Sequence, residues 1–172
     1  MKILVSACLL GLRCRYDGRS KENPAILRLA AEHTLVPCCP EIYGGLHTPR
    51  DPSEMRDGRV FSKAGADVTA QFEKGAVEAV LLAKTLGCDC AVLQDKSPSC
   101  GVGVVYDGTF TGALVAGDGL TAKALREAGI RVMAASTAAA QGVCPCPKEC
   151  PRHDDCAACR KHHRHKLPFC ER

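Results

Sequence analysis

The predicted fold is built around the stretch Asp95-Lys96-Ser97-Pro98-Ser99-Cys100-Gly101. It directly follows Ala91-Val92-Leu93, a short apolar run that is typical of a buried strand. Ser-Pro and Cys-Gly then favour a tight turn, because proline fixes φ and glycine tolerates a positive φ. The sequence therefore predicts a thiol and two hydroxyls on a loop just past the carboxyl end of a strand.

Two other cysteines occupy the same kind of position. Cys8 ends the apolar run at residues 3–7, and Cys39 ends the run at residues 35–38, directly before Pro40-Glu41. In an open parallel α/β sheet, the loops at the carboxyl ends of neighbouring strands share one crevice. We therefore predict that Cys8, Cys39 and Cys100 meet at that edge of the sheet.

Helix and strand patterns alternate along the chain, which predicts an α/β fold of the Rossmann-like, three-layer kind with a mostly parallel sheet. The predicted strands are residues 3–7, 35–39, 91–93 and 130–133. The clearest helix is capped by Asp67 or Thr69 and closed by Gly87. Its apolar face comprises Val68, Phe72, Ala76, Ala79, Ala83 and Leu86.

Shorter helices are predicted on either side of this one. Asn23-Pro24 is a good helix start, and that helix runs to about His33, burying Ile26, Leu27 and Ala30. A second is capped by Thr121 and ends at Gly129, and a short last helix covers residues 136–141.

Asp107-Gly108 separates two β-capable runs, residues 104–106 and 109–111, which predicts a β-hairpin insert with a two-residue turn. By contrast, residues 41–60 are predicted to be irregular. A connection of about twenty residues without structure is usually functional or disordered.

Thirteen cysteines are the strongest compositional signal in these 172 residues. They indicate disulfides in a secreted chain and metal or redox chemistry in a cytosolic one. The apolar run before Cys8 is shorter than the ~7–15 residues of a signal peptide's apolar region. No run reaches the ~18 apolar residues of a membrane span. We therefore expect a cytoplasmic protein with reduced thiols and no membrane contact.

The character of the sequence changes at Cys144, after which 29 residues contain six Cys, four His and four Pro without apolar periodicity. We predict two units, an α/β domain at 1–143 and a Cys/His-rich tail at 144–172. The tail holds seven basic and four acidic residues, against 16 and 15 in the rest of the chain. Weak nucleic-acid contact is therefore expected of the tail alone.

The tail also predicts metal binding, because soft ligands are dense in it. Its spacing fits no standard zinc or ferredoxin pattern. Zinc, a second iron–sulfur cluster and a disordered or redox-active tail all remain open. The predicted metal ligands are Cys144, Cys146, Cys150, Cys156 and Cys159, followed by His162, His163, His165 and Cys170.

By residue type alone, the three strand-end cysteines have two interpretations. Free cysteines are often small buried hydrophobic residues. Alternatively, Cys8, Cys39 and Cys100 hold a metal centre. Structural zinc sites and iron–sulfur clusters usually take four protein ligands. Three thiolates would therefore leave one position for water or substrate, as catalytic metals require.

Several stretches together resemble the domain-of-unknown-function family 523, which includes the thiouracil desulfidases. The resemblance covers residues 1 to about 140, with the motifs in order at family-like spacing. It rests on Val5-Ser6-Ala7-Cys8-Leu9-Leu10-Gly11, Arg15-Tyr16-Asp17-Gly18, Pro37-Cys38-Cys39-Pro40-Glu41, Gly44-Gly45, Thr48-Pro49-Arg50, Asp67-Val68-Thr69, Ser97-Pro98-Ser99-Cys100-Gly101 and Tyr106-Asp107-Gly108-Thr109-Phe110.

The resemblance implies an oxygen-sensitive 4Fe–4S cluster held by Cys8, Cys39 and Cys100. Its free iron would take sulfur from a thiolated pyrimidine without net redox chemistry, as members do on 2-thiouracil or on 4-thiouracil and its nucleoside forms. Cys38 departs from the family pattern, which often has an apolar residue there. We favour Cys39 over Cys38 as the ligand because it directly precedes Pro-Glu.

Glu41 and Ser97 are the candidate catalytic residues, and the resemblance implies that both positions serve catalysis. A carboxylate can deprotonate water, and a hydroxyl can relay a proton. By residue type alone, Glu41 could equally be a helix-cap or surface carboxylate and Ser97 a turn residue. Arg50 and Lys21 either contact a substrate oxygen or are solvated, and residues 117–121 form either an anion site or a capped glycine turn.

We therefore predict an iron–sulfur-dependent desulfidase that converts a thiolated uracil compound into the oxo base and sulfide. One alternative is a non-catalytic iron–sulfur or zinc-binding module, or one for sulfur trafficking. Another is an accessory protein that binds thiolated RNA through its tail. The choice among free base, nucleotide and RNA, and the oligomeric state, do not follow from the sequence.

Overall fold

The computed structural model describes residues 1–141 and Val143. The strands of this part of the chain are β1 Lys2–Ser6, β2 Thr34–Cys38, β3 Ser53–Arg56, β4 Arg59–Ser62, β5 Cys90–Leu93, β6 Val104–Tyr106, β7 Leu114–Ala116 and β8 Arg131–Ala134. Its helices are α1 Pro24–Arg28, α2 Pro40–Tyr43, α3 Thr69–Leu86, α4 Leu120–Glu127 and α5 Ala135–Gln141, with 3₁₀ turns at Ala7–Leu10 and Leu29–Ala31. The predicted tail unit, 144–172, lies outside the described residues.

Four parallel strands form the central sheet in the order β2-β1-β5-β8. Ile3 pairs with Leu35 on one side and with Cys90 on the other. The central strands β1 and β5 are buried along almost their whole length. Burial on both faces explains why they read as continuous apolar runs rather than as alternating patterns.

Helices cover both faces of this sheet, which confirms the predicted three-layer α/β fold. Because side chains alternate across a strand, Leu4 faces one layer and its neighbours Ile3 and Val5 face the other. On one face, α3 and α4 pack through Leu4, Ala79, Ala83, Ala91, Leu93, Ala122 and Leu125. On the other, α1 and α5 pack through Ile3, Val5, Ile26, Val92, Ala135 and Ala138.

The long helix α3 agrees with its predicted apolar face at Phe72, Ala76, Ala79 and Ala83, which are buried, whereas Leu86, in its last turn, is exposed. It ends where predicted, with Gly87 in the left-handed region at φ 63°. The N-cap is Val68 rather than the predicted Asp67 or Thr69, although Asp67 accepts the backbone N–H and the hydroxyl of Thr69. Among the described residues, no helix combines the length and hydrophobicity that crossing a membrane requires.

Two helix predictions need correction. The first helix is α-helical only to Arg28 and then tightens into the 3₁₀ turn Leu29–Ala31, so Ala30 is exposed and Leu27 only half-buried, although both were predicted to be buried. Thr121 does not cap α4, which begins one residue earlier, at Leu120, with Gly119 at the N-cap. Thr121 is fully buried instead, because its hydroxyl contacts the loop that carries Cys100.

The hairpin prediction at Asp107-Gly108 is wrong about the second strand. β6 pairs with β7, Leu114–Ala116, rather than with residues 109–111. The reason is a tertiary contact: the buried carboxylate of Glu54 accepts the N–H groups of Gly108 at 3.1 Å and Phe110 at 2.9 Å. These bonds hold a longer loop and prevent a two-residue turn.

The segment predicted to be irregular contains most of the short helix α2 and a hairpin, both of which the prediction missed. β3 and β4 pair in antiparallel fashion across Asp57-Gly58. These two residues have φ values of 51° and 76°, the positive values that a tight type I′ turn requires. Both strands are only four residues long and rich in charge, so their apolar pattern is weak.

α2 and α3 meet backbone to backbone at two glycines. A Cβ on Gly75 would lie 1.9 Å from the carbonyl oxygen of Pro40, and one on Gly44 would lie 1.9 Å from that of Gln71. Only glycine at both positions permits this approach. The contact fixes α2, which carries Glu41 in its first turn and Cys39 at its N-cap.

We expect Gly75→Ala to destabilise the protein. In a helix interior this substitution ordinarily stabilises by roughly 0.5–1 kcal/mol. Here the added methyl would overlap the Pro40 carbonyl, and overpacking costs about 1–3 kcal/mol. Urea unfolding under anaerobic, reducing conditions measures the change.

The matched control is Val77→Ala, on the solvent side of the same helix, where the valine is 66% exposed. Its effect should stay within about 0.5 kcal/mol, as is usual for surface changes. A Gly75→Ala protein more stable than wild type would contradict the close contact.

Candidate active site

A cavity of about 580 Å³ lies at the carboxyl edge of the sheet. The chain turns into it after β1, β2 and β5, three strands that are neighbours in the sheet. Cys8, Cys39 and Cys100 all line it, as the strand-end argument predicts. Parallel strands bring these three loops together because their carboxyl ends share one edge.

Cys8 and Cys100 lie on the buried side of the cavity. Cys8 follows β1 in the 3₁₀ turn Ala7–Leu10 and is 8% exposed, whereas Cys100 is 5% exposed. Burial raises the pKa of the Cys100 thiol far above its ordinary value, and the neighbouring Ser6 hydroxyl offsets only part of that rise. Burial by itself therefore disfavours a lone thiolate at Cys100.

Cys38 and Cys39 differ in what they contact, although both line the cavity. Cys38 ends β2 and packs in the core beside Ala79 and Ala83 of α3; burial raises its pKa to about 12. Cys39 is half-buried, and its Sγ lies 3.8 Å from the Cys14 carbonyl oxygen. Contact with the Cys14 thiol, and then burial, raise the pKa of Cys39.

Cys14 is a cavity residue that the sequence argument missed. Its thiol lies within hydrogen-bonding reach of the thiols of Cys8 and Cys39. The Cys39 contact lowers its pKa, but the Cys8 contact and burial outweigh this and raise the pKa to about 11. The only sequence signal was a cysteine in a polar loop six residues after Cys8, and strand-end reasoning does not select such a residue.

The loop that carries Cys100 is fastened to the first turn of α4. Ser97 Oγ accepts the N–H groups of Ser99 and Cys100, each at 3.1 Å. Ser99 is buried, and its hydroxyl lies 2.8 Å from that of Thr121. A Cβ on Gly119 would lie 2.4 Å from the Ser99 carbonyl oxygen, so the backbones are in direct contact here.

The same contact excludes an anion site at residues 117–121. The N–H of Leu120 donates to Pro98 O at 2.9 Å, and that of Thr121 donates to Ser99 O at 2.9 Å. The free N–H groups with which a helix N-terminus binds an anion are therefore already occupied. The glycine-turn interpretation agrees with the structure.

Glu41 lies in the cavity between Arg50 and Ser97, in the middle of a short polar chain. Arg50 donates to its Oε2 from Nε at 3.0 Å and from Nη2 at 2.6 Å. The Ser97 hydroxyl lies 3.5 Å from the other oxygen, Oε1. Because Ser97 Oγ already accepts two N–H groups, its own proton is directed towards Glu41. The carboxylate thus has one oxygen held by Arg50 and one open towards Ser97 and the cavity.

Arg50 is a positioning residue rather than an exposed cation. Its side chain is only 7% exposed. Besides Glu41, it donates to the carbonyl oxygens of His47 at 3.1 Å and Cys14 at 3.2 Å. The Arg50 guanidinium therefore joins Glu41 to the loop of Cys14.

Lys21, the other basic candidate, lines the cavity and is exposed.

A second acid, Glu54, also lines the cavity and is 8% exposed. The sequence argument did not select it, because it falls in the segment predicted to be irregular. As described above, its carboxylate binds backbone N–H groups of the loop after β6. Glu54 thus shapes one wall of the cavity.

Within residues 1–141 and Val143, no three Cys, His, Asp or Glu side chains converge closely enough to bind a single metal ion. The thiols instead spread around a cavity, an arrangement that suits a multi-iron group, in which each thiolate binds a different iron. The predicted tail ligands Cys144, Cys146, Cys150, Cys156 and Cys159 lie outside the described residues.

The sequence and the fold of this chain are similar to those of known proteins. A family model described as 2-thiouracil desulfurase matches residues 3–137. The "Uncharacterized protein YbbK" of Bacillus subtilis (strain 168) is 39% identical over 141 residues, which cover 76% of this chain and 93% of YbbK. The solved structure of the 4Fe–4S-dependent thiouracil desulfidase TudS is similar at a TM-score of 0.75 and 45% identity, covering 79% of this chain and 91% of that one.

The contact between Ser99 and Thr121 generates a prediction about the loop. Thr121→Val keeps the shape but leaves the buried Ser99 hydroxyl unpaired, which costs about 1–3 kcal/mol. Anaerobic urea unfolding measures this loss, and Thr121→Ser, which keeps the hydroxyl, should lose less. The double variant Ser99→Ala/Thr121→Val removes both partners and should recover part of the loss. A Thr121→Val protein as stable as wild type would contradict the anchoring bond.

Proposed function

The chain belongs to the 2-thiouracil desulfurase family, and from that premise we propose that it converts a thiolated uracil into the oxo base and sulfide with a 4Fe–4S cluster. The observation that carries this proposal is the convergence of Cys8, Cys39 and Cys100 in one cavity with Glu41 and Ser97. Thiouracil desulfuration in general follows from the family. The substrates within that class and the sulfur acceptor are our proposal.

The residues of the cavity fit an iron–sulfur cluster by the chemistry of their donor atoms. Cys8, Cys39 and Cys100 would hold the cluster, since thiolates are its usual ligands. Soft sulfur donors favour iron–sulfur groups over magnesium or calcium. When bound, the cluster supplies an iron without a fixed protein thiolate, which acts as a Lewis acid and accepts the sulfur.

Glu41 is the proposed general base. Water must attack the thiocarbonyl carbon as the C–S bond breaks, and a carboxylate within hydrogen-bonding reach can take its proton. Arg50 holds Oε2, so Oε1 faces the cavity for this task. The overall change, C=S plus H₂O giving C=O plus H₂S, transfers no electrons to or from the protein.

Ser97 is the proposed proton relay. Its hydroxyl lies between Glu41 Oε1 and the Cys100 loop, and its oxygen is fixed by two backbone N–H groups. In this relay the Ser97 hydroxyl turns its proton to a ring nitrogen of the substrate, and its oxygen accepts the proton held by Glu41 in place of one of the two backbone N–H groups. Such a relay requires a hydroxyl held in place, which the turn at residues 97–100 provides.

The size of the cavity is compatible with a small substrate. Small-molecule sites usually enclose ~300–1,000 Å³, and a volume of about 580 Å³ falls within that range. We propose 2-thiouracil or compounds of the 4-thiouracil and 4-thiouridine type as substrates. Arg15, Lys21 and Lys96 also line the cavity and would tolerate neutral or anionic substituents on the base.

Cluster content tests the proposed ligands. Protein purified without oxygen should hold about four irons per chain and absorb visible light as such clusters do. Changing Cys8, Cys39 or Cys100 to Ser should each abolish the cluster, because each removes one iron's ligand. Iron and sulfide analysis measures the outcome.

Two matched controls sharpen this test. Cys88→Ser alters a half-buried cysteine at the opposite, amino edge of β5 and should keep the cluster. Cys38→Ser should also keep it, because Cys38 packs in the core. Loss of iron in Cys38→Ser together with retention in Cys39→Ser would reverse the choice of ligand.

Turnover tests the proposed catalytic pair. Glu41→Gln removes the base and Ser97→Ala removes the relay hydroxyl, so both should keep the cluster but lose activity by a factor on the order of 10²–10⁴. Anaerobic assays of released sulfide with 2-thiouracil and 4-thiouracil measure this, and Glu73→Gln on the exposed surface of α3 is the control. Wild-type rates in both site variants would remove these residues from the mechanism. A cluster-loaded wild type without turnover would favour the non-catalytic module.

A further inference from the structure

Tyr16 is an aromatic residue of the cavity to which the proposed function assigns no role. It lines the cavity, yet it is 40% exposed. A residue that lines a cavity and also meets solvent lies where that cavity opens. Cys8 and Cys100, by contrast, lie on the buried side. A pyrimidine whose sulfur points towards these thiols therefore has its ring on the side where Tyr16 lies.

We propose that Tyr16 is a specificity-determining residue, whose ring stacks on the flat pyrimidine of the substrate and selects a conjugated ring over a saturated one. This inference rests on the proposed function and deepens it. Bases stack on aromatic side chains because both present flat π faces, and this contact needs no hydrogen bond from the base. Stacking therefore leaves the thiocarbonyl free to react.

The backbone around Tyr16 holds its ring in a defined place. Residues 15–18 form a hydrogen-bonded turn, in which the N–H of Gly18 donates to Arg15 O at 3.0 Å. Asp17 tightens this turn, because its Oδ1 accepts the N–H of Arg19 at 3.0 Å. Tyr16 thus occupies the second position of a closed turn rather than a free loop.

One face of the Tyr16 ring is already covered by a cation. The Arg15 guanidinium lies over it, 5.4 Å from the ring centroid, within the ~6 Å of a cation–π contact. Asp17 holds this guanidinium in turn, with 3.4 Å between Arg15 Nε and Asp17 Oδ1. The ring is therefore oriented before any ligand arrives, and its other face is the one that a flat ligand can cover.

Tyr16 is also tied to the proposed base through Arg50. The backbone N–H of Arg50 donates to Tyr16 O at 2.8 Å, and its guanidinium donates to Glu41 Oε2 at 2.6 Å. One residue therefore fixes both the turn that carries the aromatic ring and the carboxylate that activates water. A pyrimidine stacked on Tyr16 would lie in the same enclosure as that carboxylate.

Kinetics of Tyr16 variants measure this contact. Tyr16→Leu removes the ring but keeps an apolar side chain, and Tyr16→Phe keeps the ring without its hydroxyl. In anaerobic, cluster-loaded protein, the KM for 2-thiouracil should rise roughly 5- to 100-fold in Tyr16→Leu, the usual effect of losing a stacked aromatic side chain. The kcat should stay within a few-fold of wild type, because the substrate and its transition state stack alike. Tyr16→Phe should keep the wild-type KM, and an unchanged KM in Tyr16→Leu would overturn the proposal.

A saturated analogue separates stacking from a structural role. 5,6-Dihydro-2-thiouracil keeps the thiocarbonyl and both N–H groups, but its two saturated carbons pucker the ring and shorten the π system. Its affinity is measured as KM where it turns over and as an inhibition constant where it does not. In wild type and Tyr16→Phe it should bind several-fold more weakly than 2-thiouracil. In Tyr16→Leu the two affinities should converge, because no aromatic ring remains there to distinguish the compounds.

Tyr106 provides the matched control. Among the described residues it is the other aromatic residue that lines the cavity, but it is half-buried and lies on β6. Tyr106→Leu should keep the preference for 2-thiouracil over the saturated analogue. Loss of this preference in Tyr106→Leu, together with its retention in Tyr16→Leu, would assign stacking to Tyr106 and overturn the proposal.

The remaining outcomes separate this inference from the proposed function. Equal wild-type affinities for the two compounds would overturn stacking without any variant, so the test holds even where Tyr16→Leu does not load the cluster. An equal loss of affinity for both compounds in Tyr16→Leu would make Tyr16 a structural residue and overturn the inference. A loaded wild type that turns over no thiouracil would overturn the proposed function as well. A loaded wild type that releases sulfide without preferring the conjugated ring would overturn this inference alone.

Discussion

The backbone contact between α2 and α3 is the constraint on which the site depends. Two glycines, Gly44 and Gly75, let these helices approach more closely than any side chain would allow. α2 has only four residues, so its own hydrogen bonds cannot define its position. Its placement on α3 therefore decides where Cys39 and Glu41 point. A similar contact, between Gly119 and the Ser99 carbonyl, places Cys100 against α4.

Several thiols that line the cavity have raised pKa values because they are crowded and buried. Contacts and burial raise the pKa of Cys14 to about 11, and they raise the pKa values of Cys39 and Cys100 as well. Several thiolates cannot share such a space without a compensating cation, because buried charges of one sign repel each other strongly. Binding a metal group there would release protons and provide that compensation. Glu41 remains oriented beside these thiols because Arg50 holds it.

Two Asp-Gly pairs illustrate how far local patterns could be trusted. Asp57-Gly58 forms the two-residue hairpin turn that such a pair favours, yet its short, charged strands concealed it. Asp107-Gly108 has stronger β-capable neighbours but forms no such turn, because Glu54 captures the N–H groups of the loop. Turn propensity was similar in the two cases. The two pairs differ because the carboxylate of Glu54, more than fifty residues before Asp107 in the sequence, binds the second loop.

The amino-acid sequence was enough to predict the parallel sheet, the helices on both of its faces and the meeting of Cys8, Cys39 and Cys100 at one edge. These follow from periodicity and from the direction of parallel strands, which are properties of local sequence. Folding was needed to show that Cys14 lines the same cavity, that Arg50 holds Glu41 and that Thr121 anchors the Cys100 loop. Each of these contacts joins segments whose spacing in the chain carries no pattern, so only the packing of the folded chain could bring them together.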